Sequence, residues 1–289
     1  GGAMAIRVSA WFGGSVDGGS RRAAEQSTVA GRQTPLDLLA VAIDMRLTFL
    51  GTGSAMPSPS RLQSSLLVEV DGHTLLVDCG SGAAYRLAQA DTSHNAVDAV
   101  LLTHTHLDHV ADLSTLLKAR WLDDNPEIDV YGPPGTHEVV ETLLGIDSLT
   151  ERVDVDVTEL DRGDKAFGLG PHRIAYTETT HSAVCFAYRF DDTLTISGDT
   201  APDESVFALA DRSEVLIHEC GFPDGVDSAG HATPTGLRDG LEDISVDRVF
   251  LTHLFPETEP HKPEVETTVG QAVDGPVSVP DDLERLRIE

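Results

Sequence analysis

Four potential metal ligands fall within six consecutive residues, His104-Thr105-His106-Leu107-Asp108-His109. Imidazole nitrogen together with carboxylate oxygen suits zinc and its first-row neighbours. Being two residues apart on an extended segment, His104 and His106 point to the same side. Asp108 and His109 follow where the chain turns toward a helix, so they can serve a neighbouring ion. A hydrogen-bonded polar loop would not need three histidines and an aspartate packed so closely. Other chemistries find less support. There is no G-x-x-x-x-G-K-[ST] phosphate loop, and Gly51-Thr52-Gly53 lacks the third glycine of a dinucleotide fingerprint, so it reads as a tight turn. Cys79, Cys185 and Cys220 are odd in number, far apart and without C-x-x-C spacing. That excludes a disulfide framework and a Cys-rich zinc site, and leaves them as small apolar side chains near strand ends.

The elements that must position this loop are short apolar strands alternating with helical stretches. Residues 47–50 read as a strand ending at Gly51. Residues 66–70 and 74–77 flank Asp71-Gly72, a hairpin turn signal. Residues 81–90 read as a helix, and 99–103 as a buried strand that delivers the His-rich loop. Residues 110–120 read as a helix with Val110, Leu113, Leu116 and Leu117 on one face. A strand at 128–131 and a helix at 136–144 follow. The second half repeats the logic: a strand at 173–177, then a hairpin of 183–190 and 193–197 about Asp191-Asp192. A helix at 205–210, a strand at 215–219, a helix at 235–241 and a strand at 248–252 come next, with closing strands at 277–279 and 285–288. Hairpins in both halves argue against a purely parallel sheet. The expected class is α/β, with two mixed sheets covered by helices.

Of 289 residues, 40% are hydrophobic, enough for a sizeable core. Lys and Arg number 20 against 48 Asp and Glu, a formal net charge of −28. A surface this acidic repels phosphate backbones at ordinary salt. It suits a salt-rich cytosol, where the Debye length is about 3 Å at 1 M, so a halophilic protein is expected. No run approaches the length of a membrane helix and no signal peptide is evident, which points to a cytoplasmic protein without membrane contact. Residues 1–44 contain Gly13-Gly14-Ser15 and Gly18-Gly19-Ser20, flexible-linker composition. They are expected to be a flexible or non-native extension, with Met45 as the natural start and 45–289 as the working domain.

His104 to His109 resembles the H-x-H-x-D-H signature of the metallo-β-lactamase superfamily. Within it, Phe49-Leu50-Gly51-Thr52-Gly53-Ser54, Leu76-Val77-Asp78-Cys79-Gly80 and Ser197-Gly198-Asp199-Thr200 resemble the ribonuclease Z branch, the tRNA 3′-end processing enzymes. The resemblance covers 46–289 and implies a four-layer αβ/βα sandwich. It also implies two divalent ions: Zn²⁺, with Mn²⁺ or Fe²⁺ as alternatives. His104, His106, His181 and Asp199 would hold the first. Asp108, His109, Asp199 and His253 would hold the second, with Asp199 bridging. His181, Asp199 and His253 each stand where a strand runs out into a loop, where layered α/β folds collect site residues. Asp78 is expected to orient a ligating histidine. Such an ion pair lowers the pKa of water toward ~7 and neutralises a phosphoryl oxygen. The resemblance further implies that His231 protonates the leaving group, oriented by Glu219, while Asp108 helps activate water. His218 reads as a structural histidine. His73, His94, His137, His172 and His261 stand alone in surface or turn contexts. Ser54 to Ser60 would edge the substrate site, with Ser64 and Ser65 within reach of a phosphate.

One departure from the branch bears on substrate. Its tRNA-gripping arm is inserted between the equivalents of His181 and Asp199, and here 182–198 are used up by one hairpin. Basic residues are scarce in every loop, and Pro133-Pro134-Gly135 reads as a turn. The expected activity is phosphodiester hydrolysis, on RNA or a smaller diester, in a protein that the resemblance implies can form a homodimer. The alternative is hydrolysis of a lactone, thioester or sulfate ester on the same fold.

Overall fold

The structure is a computed structural model that describes residues 44–162, 165–228 and 230–288. The expected N-terminal extension, apart from Asp44, lies outside the described residues.

Two seven-stranded sheets form among the described residues. The first contains β1 (Met45–Gly51), β2 (Ser65–Val70), β3 (His73–Val77), β4 (Ala99–Leu101), β5 (Glu127–Gly132) and β6 (Asp154–Glu159). The second contains β7 (Ala166–Leu169), β8 (His172–Glu178), β9 (Phe186–Phe190), β10 (Leu194–Ile196), β11 (Ser213–Glu219), β12 (Val246–Thr252) and β13 (Val277–Ser278). The last strand, β14 (Arg285–Ile288), returns to the first sheet, giving the orders β14-β1-β2-β3-β4-β5-β6 and β13-β12-β11-β10-β9-β8-β7. In each, an antiparallel half passes into a parallel half, at β3–β4 in one and β10–β11 in the other. Helices α1 (Ala83–Gln89), α2 (Leu107–Val110), α3 (Leu113–Leu122) and α4 (Thr136–Gly145) accompany the first sheet. Helices α5 (Glu204–Ala210), α6 (Pro234–Leu241) and α7 (Lys262–Val269) accompany the second.

The period-two alternation of strand side chains produces the layering. On β4, Ala99 and Leu101 face the core between the sheets, while Val100, and Leu102 just beyond the strand, face the helices. On β11, Val215 and Ile217 face the central core and Leu216 the outer one. Each such Leu, Ile or Val contributes about 1.5–3 kcal/mol on burial. The result is the expected helix–sheet–sheet–helix sandwich.

Several local expectations need correction. The helix expected at 110–120 begins earlier and is broken into α2 and α3. Asp112 interrupts it: its N–H donates to the Cys79 carbonyl (3.0 Å) and its carboxylate accepts from the Ala84 N–H (2.8 Å), tying the break to α1. Asp108 and His109 therefore lie on the first helical turn rather than in a loop. Strands β6 and β7 and helix α7 were not foreseen, and the strand expected at 183–190 begins only at Phe186. The Asp71-Gly72 hairpin is as expected, with φ of 47° and 85°. His172 is buried rather than superficial, its Nδ1 3.0 Å from the Asp191 carboxylate. All three cysteines are buried and free. Among the described residues no helix is long and apolar enough to cross a membrane.

Candidate metal centre and active site

The candidate residues gather where strands deliver the chain into loops. Asp78 follows β3, the 104–109 segment follows β4, His181 follows β8, Asp199 follows β10, Glu219 ends β11 and His253 follows β12. The carboxyl ends of parallel strands are where open α/β sheets collect ligand-binding groups. Close backbone approach is needed to bring these ends together. A Cβ on Gly80 would lie 2.1 Å from the Asp108 carbonyl oxygen, and Gly198, at φ 62°, has the Cys185 sulfur and the Phe186 carbonyl about 3 Å from where its Cβ would be.

Two four-residue clusters result, sharing Asp199. In the first, His104 Nε2 and His181 Nε2 lie 3.0 and 3.1 Å from His106 Nδ1. Asp199 Oδ2 lies 3.6 Å from His104 Nε2 and 4.0 Å from His181 Nε2. In the second, His109 Nε2 is 3.5 Å from Asp108 Oδ2 and 3.4 Å from Asp199 Oδ1. His253 Nε2 is 3.3 Å from both Asp108 Oδ2 and Asp199 Oδ2. Ligands at 2.0–2.2 Å in tetrahedral array around one zinc-sized ion lie about 3.3 Å from one another. The spacings match that figure within a few tenths of an ångström for most pairs. His109 Nε2, completely buried, has no hydrogen-bond partner of its own. A buried polar nitrogen without a hydrogen-bonding partner is costly unless something else satisfies it. The donor set therefore fits a pair of divalent cations, with Asp199 common to both clusters.

Burial alone would raise the Asp199 carboxyl, but the charges of His253 and His109 hold it well below the ordinary carboxylate range. Burial, with His109 beside it, holds the His104 imidazole well below its usual value, so it is neutral and able to ligate. Burial alone would lower the His109 pKa, but the charges of Asp199 and Asp78 raise it well above its usual value, so a cation would have to displace its proton. Asp78 accepts a 2.7 Å hydrogen bond from His109 Nδ1, which leaves Nε2 facing the cluster. This is the orienting arrangement that the sequence suggested for Asp78.

Beside the clusters, Glu219 is saturated. Its Oε1 accepts from Thr200 N (2.9 Å) and His231 Nδ1 (2.8 Å), and its Oε2 from Gly221 N (3.0 Å) and Ala232 N (3.2 Å). With four donors on it, Glu219 orients His231 and has no lone pair to spare for an ion. The His231 ring stacks on His253, with centroids 5.2 Å apart and planes at 16°, and lies 5.4 Å from His181. Burial would lower the His231 pKa, but the hydrogen bond and charge of Glu219 raise it above the usual histidine value.

His218 has the structural role its sequence context suggested, and Ser65 does not serve the site. His218 is buried, donates from Nδ1 to the Glu219 carbonyl (2.7 Å) and stacks on Phe207, as befits a structural residue. Ser65 spends its hydroxyl on the Asp78 carbonyl (3.0 Å) rather than facing a substrate. Two aromatic residues were missed. Phe222 and Phe255 stack at 4.2 Å and flank His231 at 5.9 and 5.4 Å. Isolated aromatics in loops carry no periodic signal, and only their position just after two strand ends could have pointed to them.

Comparison with known proteins agrees with this geometry. The family model described as Anti-Pycsar protein Apyc1 matches residues 45–271. A ribonuclease Z of Mycobacterium sp. (strain KMS) is 32% identical over 274 residues, covering 84% of this chain and 96% of that protein. This chain belongs to the Apyc1 family, among the ribonuclease Z-like hydrolases of metallo-β-lactamase fold. A ribonuclease Z of Methanothermobacter thermautotrophicus is 28% identical, covering 85% of the Apyc1-family chain and 97% of that protein. Among solved structures, YhfI from Bacillus subtilis, a metallo-β-lactamase fold protein, has a TM-score of 0.74 at 23% identity, covering 85% of this chain and 99% of that one. Human tRNase Z, short form, has a TM-score of 0.68 at 22% identity, covering 84% and 99%. At these identities the structural likeness speaks to the fold.

Proposed function

We propose that this chain is a dinuclear phosphodiesterase acting on a small phosphodiester. His104, His106, His181 and Asp199 hold one cation, Asp108, His109, Asp199 and His253 the other, and Zn²⁺ is the favoured ion. The observation that carries the reading is the pair of clusters sharing Asp199, with the saturated Glu219–His231 pair beside them. Ions bound there would lower the pKa of water toward neutrality and offset charge building on a phosphoryl oxygen. The chain's own residues do the rest. Asp108 accepts the proton that leaves the attacking water. Glu219 holds His231 with Nδ1 as donor, so that Nε2 carries a proton toward the leaving oxygen. Phe222 and Phe255 wall one side of His231.

Relatives named ribonuclease Z support the phosphodiester class. A small substrate, rather than a tRNA precursor, is favoured by two features of this chain. Between His181 and Asp199 the chain is occupied by β9, a tight turn and β10, which leaves no room for an arm. The net charge of −28 opposes a polyanion with many phosphates. The same charge supports a salt-rich cytosolic setting, and the proposed enzyme is a homodimer.

The test is hydrolysis of bis-p-nitrophenyl phosphate beside a precursor tRNA and a panel of lactones, thioesters and sulfate esters, at molar KCl with added zinc or manganese. Chelator-sensitive turnover of the diester, abolished in Asp108→Ala and His253→Ala, is expected. Turnover confined to the non-phosphate esters would overturn the reading.

A further inference from the structure

Each metal cluster contains one histidine whose far ring nitrogen is tied down, and both ties end on one carboxylate. Asp78, His104 and His109 are almost completely buried, and Thr103 is wholly so. His109 Nδ1 reaches Asp78 Oδ2 directly at 2.7 Å. His104 Nδ1 lies 3.1 Å from Thr103 Oγ1, and Thr103 Oγ1 lies 2.8 Å from Asp78 Oδ2. An ionised carboxylate only accepts, so the single hydroxyl proton of Thr103 must go to Asp78. The hydroxyl oxygen is then left to accept from His104, which places the His104 proton on Nδ1 and the lone pair on Nε2. The Thr103 N–H donates separately to Asp78 Oδ1 at 2.8 Å, so the carboxylate is gripped at both oxygens. Among the described residues no other oxygen bonds His104 Nδ1; its other polar neighbour there is the Cys185 sulfur, at 3.7 Å.

We propose that the Thr103 hydroxyl is a relay that lets Asp78 orient a ligand of each ion, His104 in the first cluster and His109 in the second. Thr103 is thus a positioning residue, acting on the metal centre chiefly through His104: its hydroxyl oxygen lies 3.1 Å from His104 Nδ1 but 3.4 Å from His109 Nδ1, which Asp78 already engages at 2.7 Å. The inference rests on the metal-centre reading above. Its consequence is asymmetric. Thr103→Val keeps the shape, the backbone donation to Asp78 and the Asp78–His109 bond, but it removes the acceptor for His104. The His104 ring is then free to carry its proton on Nε2, where it cannot ligate. Loss of an orienting partner typically costs 10–100-fold in metal affinity, here mainly at the first cluster, because His109 keeps its direct bond to Asp78. Asp78→Asn, in contrast, weakens both clusters, because an amide cannot accept all three donors.

The experiment measures metal content per chain by elemental analysis after dialysis against graded concentrations of a chelator, with the full chain loaded with zinc. Metal-free thermal melting checks that each variant folds. Wild type and Thr103→Ser should hold two ions to the same chelator concentration. Thr103→Val should lose one ion at a 10–100-fold lower chelator concentration and keep the other. Adding His181→Ala to Thr103→Val should cost no further ion, whereas adding His253→Ala should remove the one that remains. Equal retention by Thr103→Val and wild type would overturn the relay alone, as would equal losses in the Ser and Val variants. Wild type that takes up no zinc would overturn the metal-centre reading and the relay with it.

Discussion

Removal of the His231 imidazole tests the chemistry of the site in a way that depends on the leaving group. Glu219 Oε1 accepts from His231 Nδ1 at 2.8 Å, and three backbone N–H groups hold that carboxylate in place. The ring is also stacked on His253. With Nδ1 committed, Nε2 is the proton donor. A positioned general acid contributes about 10²–10⁴-fold, which is roughly 3–5.5 kcal/mol of barrier at 1.36 kcal/mol per decade. An alkoxide leaving group, as in a dinucleoside monophosphate, needs that proton. A p-nitrophenolate departs without it. His231→Ala should therefore slow cleavage of the dinucleoside by about 10²–10⁴-fold and that of bis-p-nitrophenyl phosphate by less than about tenfold. Both rates are to be measured at saturating substrate with metal content checked in each sample. Equal losses on the two substrates, at unchanged metal content, would refute proton donation by His231 and make it a structural residue.

Three further outcomes follow from the same structure. In the wild type, cleavage of the alkyl diester requires protonated His231, whose pKa is raised by Glu219, so the rate should fall as pH rises through that raised value. Glu219→Gln removes the charge and should move this alkaline limb to lower pH, as read from kcat–pH profiles. Arg61, buried among Glu259, Thr52 and the Pro280 carbonyl, ties the loop after β1 to the C-terminal segment. Arg61→Met should cost about 1.5–3 kcal/mol in denaturant unfolding, the usual worth of hydrogen bonds to a charged group, because Glu259 stays partly exposed and paired with Lys262. Burial alone would raise the Glu259 carboxyl, but its bonds to Arg61 and Lys262 lower it below the usual range. A depressed folded-state pKa stabilises above the unfolded value, near 4.3, and that part is lost as pH falls through the folded one. The gap between wild type and Arg61→Met should therefore narrow from pH 6 toward pH 3. Finally, with a net charge of −28, the melting temperature should drop as KCl is diluted from molar to millimolar, and a salt-independent melt would refute the halophilic assignment.

The clustering of the candidate metal ligands was legible because their chemistry is local. Three imidazoles and a carboxylate within six residues admit few uses, and the remaining donors stood at strand ends that apolar patterning reveals. What the sequence obscured was set by contacts distant along the chain. The break between α2 and α3 depends on Asp112 bonding to Cys79 and Ala84, partners that no local rule identifies. Strand β6 does carry a period-two signal, with Val155 and Val157 buried, yet alternating aspartates mask it as a charged loop. Strand β7, Ala166–Leu169, holds no buried position and forms only by pairing with β8. His172 looked superficial because the Asp191 that accompanies it arrives from the next hairpin. The Thr103 hydroxyl looked like an ordinary strand residue for the same reason: both of its partners are histidine and aspartate side chains that meet only in the folded chain.

The central claim is that Asp199 is shared between two ions, and counting metal per chain tests it most directly. Zinc-loaded wild type, gel-filtered and assayed by elemental analysis, should contain two ions per chain, and Asp199→Ala should contain fewer than one. Two ions retained in Asp199→Ala, or a single ion at saturation in the wild type, would contradict it.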